Sequence, residues 1–245
     1  MRRHLRDGAL AGLAGGAALA LVLLAAGEGA INRAITLEQR AHPATAGDEM
    51  FGRGAQQAGG ALASLLYGLA LGAILAVAFV ALRRLLATRS EWRAAVQLAA
   101  VGFVTVNLVP FLKYPGNPPG VGDAATIGRR TALYLLMLAW SALATVAAWR
   151  LARTLHRRGV PEHARLPAVV AIHVAVVVVG LAALPGSPDR VTVPATLLWR
   201  FRLASLAGTV TFWAVTGTVF GWLRLAATGT SPLAGFSGER VPASG

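Results

Sequence analysis

Long apolar stretches alternate with short, mostly basic connections along this chain of 245 residues. A helix that crosses a bilayer needs about 20 apolar residues at a rise of 1.5 Å per residue. Six stretches reach or approach that length, at residues 8–27, 59–82, 94–112, 132–152, 167–185 and 202–223. The pattern predicts an all-α integral membrane protein, a bundle of about six transmembrane helices that forms a single membrane domain over residues 1–224.

Two of the six stretches allow a second interpretation. The first follows three arginines, as a signal peptide would, but it is longer than the usual apolar region and no clean cleavage site follows before Glu28. The fifth is rich in β-branched residues, as a buried strand would be, whereas its length is typical of a helix. We therefore expect an uncleaved first helix and a helical fifth stretch. Small residues at four-residue spacing in the first two stretches indicate close helix packing.

Composition supports the membrane class and excludes several kinds of chemistry. Only 13% of residues are charged, and the mean hydropathy is +0.60. The chain has no cysteine, which excludes disulfides, thiolate metal sites, iron–sulfur clusters and a cysteine nucleophile. The net charge of +13 comes from basic residues in short clusters at the ends of apolar runs, so membrane topology explains it better than nucleic-acid binding.

Charge also predicts how the chain crosses the membrane. If the N-terminus is cytoplasmic, 14 Lys and Arg residues lie in the inner connections and ends, against 9 in the outer ones. Positive residues favour the cytoplasmic side, so we expect both ends of the chain to be cytoplasmic. Residues 225–245 lack periodicity and are rich in Gly, Ser and Pro, and we expect a disordered C-terminal tail there.

A proline- and glycine-rich stretch, FLKYPGNPPGVGD at residues 111–123, interrupts the apolar pattern between the third and fourth predicted helices. Neither a helix nor a strand ladder passes through such a sequence. Irregular backbone at membrane depth is tolerated where protein covers it or where it lines a wet cavity. We therefore predict a pore or vestibule element at the outer face. Its candidate substrate contacts are Lys113, Tyr114, Asn117 and Asp123, and its structural residues are Pro115, Gly116, Pro118, Pro119 and Gly120.

One of those residues, Asp123, has an alternative role. It precedes the AATIGRR sequence that begins the fourth predicted helix. Aspartate is a preferred helix N-cap, because its carboxylate accepts hydrogen bonds from free backbone N–H groups. We expect capping rather than metal binding at this position.

The end of the first predicted helix carries two carboxylates, Glu28 and Glu38, in GEGAINRAITLEQR at residues 27–40. If the helix continues, they share a face but lie about 15 Å apart, so they cannot hold one ion unless Gly29 breaks the helix. Glu28, near membrane depth, either contacts substrate or pairs with Arg200 or Arg202 at the outer start of the sixth helix. The arginines alone could instead reach lipid headgroups.

The remaining candidate chemistry is sparse. His173 lies inside the fifth predicted helix, where a hydrogen bond to a neighbour is favoured over metal binding, so Glu28 and His173 are only weak metal candidates. HExxH, P-loop and GxSxG motifs do not occur in the sequence, and we expect neither an enzyme nor a bound cofactor. Any energy coupling would come from a gradient, the membrane potential or another subunit.

Three segments together resemble the CbtA family of predicted cobalt transporter subunits, over nearly the whole chain. They are GEGAINRAITLEQ, NLVPFLKYPGNPPGVGDAATIGRRTALYL and LLWRFRLASLAGTVTFWAVTGTVFG. The resemblance implies a bacterial plasma-membrane protein that supplies Co²⁺ for cobalamin synthesis, with a small single-helix partner called CbtB. The resemblance carries no established metal-ligand set. The family pattern falls on Glu28, Glu38, Lys113, Tyr114, Pro115, Asn117, Pro118, Pro119, Gly120, Asp123, Trp199, Arg200, Phe201 and Arg202.

The number of spans differs from the usual description of the family. The family is often described with five spans, whereas hydropathy here favours six.

Two other functions stay open beside cobalt import. One is a nontransporting scaffold or accessory subunit that docks a partner on the proline-rich loop, and the other is transport of a different small solute.

Overall fold

A computed structural model describes residues 1–41, 52–83, 86, 88, 90–119, 121–188 and 193–227. This part of the chain contains six long helices and no strands. The helices are α1 (Arg2–Arg40), α2 (Arg53–Leu82), α3 (Glu91–Lys113), α4 (Ile127–Arg157), α5 (Glu162–Ala183) and α6 (Ala195–Ala227). Each is long and apolar enough to cross a membrane. The all-α class and the prediction of six apolar helices of membrane-spanning length are confirmed.

Most of the helices extend beyond the apolar stretches that predicted them. Hydropathy marks only the part of a helix that suits the lipid core, whereas the helix continues through polar residues until its backbone bonding stops. The clearest case is α1, which runs for 39 residues and passes Gly29 without a break. The β-branched fifth stretch is a helix, as its length indicated. Of the expected tail, residues 225–227 belong to α6, and the rest lies outside the described residues.

Two helices contain a wider π-helical turn, at Leu23–Gly27 in α1 and at Phe103–Leu108 in α3. The second turn is followed by Pro110. Proline has no N–H, so it cannot donate to the carbonyl four residues earlier, which belongs to Val106. The hydroxyl of Tyr134, on α4, donates to that carbonyl at 3.3 Å. A side chain from the next helix thus replaces a bond that the proline removes.

The chain forms two compact units, the first of which comprises residues 1–20, 56–100 and 211–245. In this unit, small residues bring the backbones of α1 and α2 into direct contact. They meet in antiparallel order, Gly8 with Gly72, Gly12 with Gly68 and Gly16 with Ser64. A Cβ atom at Gly12 or Gly68 would overlap the carbonyl oxygen of the other. The small-residue spacing therefore serves helix packing, as predicted.

The first unit also buries an ion pair between α1 and α6. Asp7 is 1% exposed, and its carboxylate accepts a hydrogen bond from the Arg224 Nη1 at 3.0 Å. The guanidinium of Arg6 lies 3.0 Å from the other carboxylate oxygen. A buried carboxylate needs such partners, because its desolvation is otherwise uncompensated. The pair also places the start of α1 beside the end of α6, so these two ends lie on one side of the unit.

The second unit comprises residues 21–55 and 101–210 and packs α4 closely on α5. Its core is formed by the buried side chains Val109, Met137, Ala144 and Val177. The Trp140 indole Nε1 donates to the carbonyl oxygen of Val176 at 2.8 Å, and the ring fills the space beside Gly180. Because this indole N–H donates to a carbonyl of the neighbouring helix, it fixes the distance between α4 and α5 and their rotation about their axes. This fixed pair supports the end at which the proline-rich loop lies.

Candidate functional site

The proline-rich segment follows the end of α3 and lines a cavity of about 650 Å³ in the second unit. The lining comes from the loop, the first two turns of α4, the segment after α5 and the start of α6. Its residues are Tyr114, Pro115, Gly116, Asn117, Pro118, Pro119, Val121, Gly122, Ile127, Arg130, Thr131, Leu133, Tyr134, Ser187, Pro188 and Arg202. The irregular backbone thus borders open space between helix ends. We call this space the loop cavity.

Two adjacent side chains tie the beginning of the loop to the end of α5. The Lys113 ammonium donates to the carbonyl oxygen of Leu181 at 2.6 Å, and the Tyr114 hydroxyl donates to that of Pro185 at 2.7 Å. Leu181 belongs to the last turn of α5, where carbonyls lack helical partners and a positive charge is favourable. Partial burial raises the pKa of Tyr114, so its hydroxyl stays a neutral donor at physiological pH. Both residues thus have anchoring roles.

The rest of the loop is shaped by short local contacts. Pro118 is fully buried, and its carbonyl accepts a hydrogen bond from the Val121 N–H at 3.2 Å. Gly122 has φ of 113°, a conformation that residues with a Cβ rarely adopt. The Asp123 carboxylate accepts from the Ala125 N–H at 2.9 Å and so caps the single 3₁₀ turn before α4. Gly120 lies outside the described residues.

Arg202 enters the cavity from α6 and meets neutral partners. Its Nη2 donates to the Asn117 side-chain oxygen at 3.0 Å, and its guanidinium carbon lies 5.9 Å from the centre of the Trp199 ring. Its Nε is buried without a hydrogen-bond partner in the described part of the chain. Arg200 is exposed and does not belong to the cavity lining. Residues two apart on a helix point about 200° apart, which separates the two arginines as the sequence indicated.

Glu28 forms an ion pair with Arg53, at the start of α2, with 2.5 Å between its Oε2 and the arginine Nη2. Arg200 and Arg202 were the partners considered from the sequence, and Arg53 was not singled out. The sequence contained a signal for Arg53, because it is the first residue of the next helix. The chain re-enters the membrane at Arg53, on the same side on which it leaves the membrane near Glu28. Glu38 is exposed, ten residues further along the unbroken α1 and hence about 15 Å away.

His173 lies on α5 with its Nδ1 buried and without a hydrogen-bond partner among the described residues. The described residues contain no group of three or more His, Asp or Glu side chains that could hold a metal ion. The structure therefore does not gather Glu28 or His173 into a metal site of that kind. Both remain single candidates, and neither belongs to the described lining of the loop cavity.

The charged side chains in the described lining of the loop cavity are all positive. Arg130 and Arg202 both line it, and its described lining has no carboxylate. Two unit charges 4 Å apart interact by about 4 kcal/mol at an effective dielectric constant of 20, and a dication doubles that repulsion. A bare divalent cation is thus disfavoured beside either guanidinium. Arg130 was overlooked in the sequence, although its place in the first turn after the loop could have indicated it.

Six helices that are long and apolar enough to cross a membrane define a multi-pass α-helical membrane protein, and four of them contribute their ends to the arginine-lined loop cavity. The family described as "Probable cobalt transporter subunit (CbtA)" matches residues 1–224. The chain therefore belongs to the CbtA family, as the sequence motifs suggested, and this is a family of transporter subunits. No curated protein and no solved structure gives a significant match to the chain.

Proposed function

We propose that this chain is the membrane subunit of a Co²⁺ importer that serves cobalamin synthesis in the bacterial plasma membrane. The observation that carries the proposal is the family match over residues 1–224, which includes all six helices except the last residues of α6. The family description names a subunit, which supports a working partner, and we propose a small single-helix protein of the CbtB type. Both ends of the chain are cytoplasmic in this proposal.

Import of a cation is favoured by the membrane potential. Each positive charge that moves inward gains about 2.3 kcal/mol per 100 mV, so a dication gains about twice that amount. The chain has no ATP-binding motif, and the potential supplies a driving force that needs none. In the proposed path, cobalt is collected at the outer surface and passes Glu28, and then runs beside the loop of residues 114–123 and the start of α6 rather than through the arginine-lined loop cavity. Glu28 and Glu38 are the candidate cobalt contacts on this path, and the residues that border it are Lys113, Tyr114, Asn117, Asp123, Arg200 and Arg202.

Glu28 is the residue whose role decides between substrate contact and structure. Its carboxylate is 20% exposed and pairs with Arg53, which is 32% exposed, so both groups are accessible to water. A carboxylate that alternates between an arginine and a passing cation can release the cation again, because the arginine competes for it. We propose this exchange for Glu28 and leave Glu38, on the exposed part of α1, as an outer collecting charge.

Uptake of ⁵⁷Co²⁺ tests the proposal in cells without their own cobalt importers. The arms are this chain alone, the CbtB-type partner alone, both together, and both with Glu28→Gln. We expect uptake that requires this chain and falls at least tenfold in Glu28→Gln, because the neutral amide binds a dication weakly. Glu162→Gln, which changes an exposed carboxylate at the start of α5 and outside the proposed path, is the matched control and should keep most of the uptake.

The other arms distinguish the alternatives. Equal uptake by the partner alone would assign this chain to an accessory role, with the loop as a docking element. No uptake in any arm, with the protein present in the membrane, would contradict cobalt import and favour another solute. Unchanged uptake in Glu28→Gln would remove that carboxylate from the path while leaving the transport function intact.

A further inference from the structure

We propose that the loop cavity binds a small oxyanion, a phosphate or carboxylate group carried either by a soluble ion or by a lipid headgroup. The proposal concerns the cavity formed by the proline-rich loop, Arg130 and Arg202. It is independent of cobalt transport, because it rests on the charge and hydrogen-bonding capacity of the cavity alone.

The first support is the environment of Arg202. Its described contacts are an amide oxygen and an aromatic face, from Asn117 and Trp199, and neither carries a charge. Its buried Nε–H has no acceptor, and no described carboxylate pairs with it. A partly buried guanidinium with an unused donor is costly unless an anion neutralises it. A ligand oxyanion in the cavity would supply both the charge and the missing acceptor.

The second support is a further concentration of positive potential on the same cavity. Arg130 lies in the first turn of α4, a helix of 31 residues whose N-terminal end carries the positive pole of its dipole. Thr131 and Ser187 add hydroxyl groups to the lining. Guanidinium groups present parallel N–H donors that match the two oxygens of a carboxylate or phosphate. The cavity thus combines charge with the geometry that oxyanions require.

Carbonyl oxygens of the loop would favour a cation rather than an oxyanion in the cavity. They carry only partial charges, however, whereas the two arginines carry full ones at the same cavity. The volume of about 650 Å³ is also that of a site for an organic molecule rather than for a bare ion. The expected ligand is therefore an oxyanion with an attached body, such as a polycarboxylate or a phospholipid headgroup.

Binding to the purified, detergent-solubilised protein tests the proposal. Isothermal titration of the delipidated protein with sodium phosphate and with citrate should show saturable binding. We expect Arg202→Gln and Arg130→Gln each to weaken it on the order of tenfold to a hundredfold, the usual loss for a charge-assisted hydrogen bond. Arg202→Lys should lose less, because it keeps the charge but not the paired donors. Arg200→Gln, an exposed arginine two residues away, is the matched control and should bind as the original chain does.

A second arm separates the two sources of the oxyanion. If a lipid headgroup fills the cavity, phosphatidylglycerol should remain bound through purification of the original chain but not of Arg202→Gln, as native mass spectrometry would show. Free phosphate or citrate would then bind only after delipidation. If a soluble ion is the ligand, citrate should bind without delipidation. Should Arg202→Gln fail to fold, the Arg202→Lys and Arg130→Gln variants carry the same comparison.

Two outcomes would overturn the proposal. The first is that phosphate, citrate and phosphatidylglycerol all bind equally to the original chain and to the two arginine variants. The second involves Asp189, which follows the cavity residue Pro188 in the sequence and lies outside the described residues. If the original chain binds no oxyanion but Asp189→Asn does, the arginines serve an internal ion pair rather than a ligand.

Discussion

Asp7 is the most deeply buried charged residue in the described part of the chain. At 1% exposure it contacts Arg6 and Arg224, and Arg224 itself is only 9% exposed. Replacing both members of a buried ion pair with apolar residues often costs little stability, whereas removing one member leaves the other charge buried and uncompensated. Asp7 therefore holds α1 and α6 together only as long as both partners are present.

We predict that Asp7→Asn destabilises the protein by about 3–5 kcal/mol, because it leaves Arg224 buried without its counter-charge. Thermal unfolding in detergent, followed by circular dichroism and size-exclusion, measures the loss. Arg6→Gln is the control and should cost much less, since the Arg6 side chain is 67% exposed. The double variant Asp7→Asn, Arg224→Gln should recover part of the loss. Additive losses in the double variant would mean that the two residues act separately.

At this scale the sequence predicted the chemistry of a residue better than its partner. A carboxylate at the position of Glu28 needs a positive neighbour, and it has one in Arg53. Depth in the membrane suggested Arg200 or Arg202, but depth says nothing about the rotation of each helix about its axis. Asp123 was easier, because a cap bonds to backbone two residues away and needs no knowledge of tertiary structure, although it caps the 3₁₀ turn at residues 124–126 and not α4 itself. Local roles follow from sequence, and contacts between helices require the fold.

The contact between α1 and α2 depends on the absence of side chains. At Gly12 and Gly68 each α-carbon faces the backbone of the other helix, so the two helices approach more closely than branched or long residues would allow. In a membrane, lipid solvates apolar side chains as well as protein does, and close backbone packing is a main source of helix association. The same glycines that weaken a helix on its own therefore stabilise the pair.

We predict that Gly68→Ala destabilises the protein by about 1–3 kcal/mol, the usual cost of overpacking, because the new methyl group would overlap the Gly12 carbonyl. Gly59→Ala, on the same helix but facing open space, should instead stabilise it by roughly 0.5–1 kcal/mol through helix propensity. Midpoints of thermal unfolding in the same detergent compare the two variants. Equal shifts would indicate that propensity, not the contact, decides the effect at Gly68.

At the scale of elements, the sequence predicted which segments form helices, but it did not predict the direction in which each helix face points. Apolar length identified all six helices, including the β-branched α5. The π turns at Leu23–Gly27 and Phe103–Leu108 add one residue to a turn, which rotates everything after them by about 100° relative to a regular helix. A face assigned from the regular period on one side of such a turn is displaced on the other. Contacts that depend on that phase could not be read from spacing.

At the scale of the whole molecule, an even number of spans returns the chain to the side on which it starts. The Asp7–Arg224 pair agrees with this count, since it joins the start of α1 to the end of α6. The excess of Lys and Arg in the inner connections predicts which side this is, the cytoplasm. The family and the number of helices could thus be predicted from the sequence. The arginine-lined cavity could not, because it forms only where the ends of four helices meet in the folded chain.

Single cysteines test the orientation directly, because the chain contains none of its own. We predict that Gly186→Cys, after α5, reacts with a membrane-impermeant maleimide in intact cells, since the loop cavity should face outward. Arg158→Cys, after α4, should react only once the membrane is permeabilised. The reversed pattern would place the loop cavity in the cytoplasm. Reaction of both from the same side would mean that α5 does not cross.

The pair between Asp7 and Arg224 also has a consequence for biosynthesis. The two residues are 217 positions apart, so at about 5–20 residues per second the ribosome delivers the arginine roughly ten to forty seconds after the carboxylate. During that interval the first helix cannot reach its final neighbour, and assembly of this unit must wait for the last helix. Arg6 is made immediately before Asp7, so the carboxylate has a positive neighbour within reach from the start.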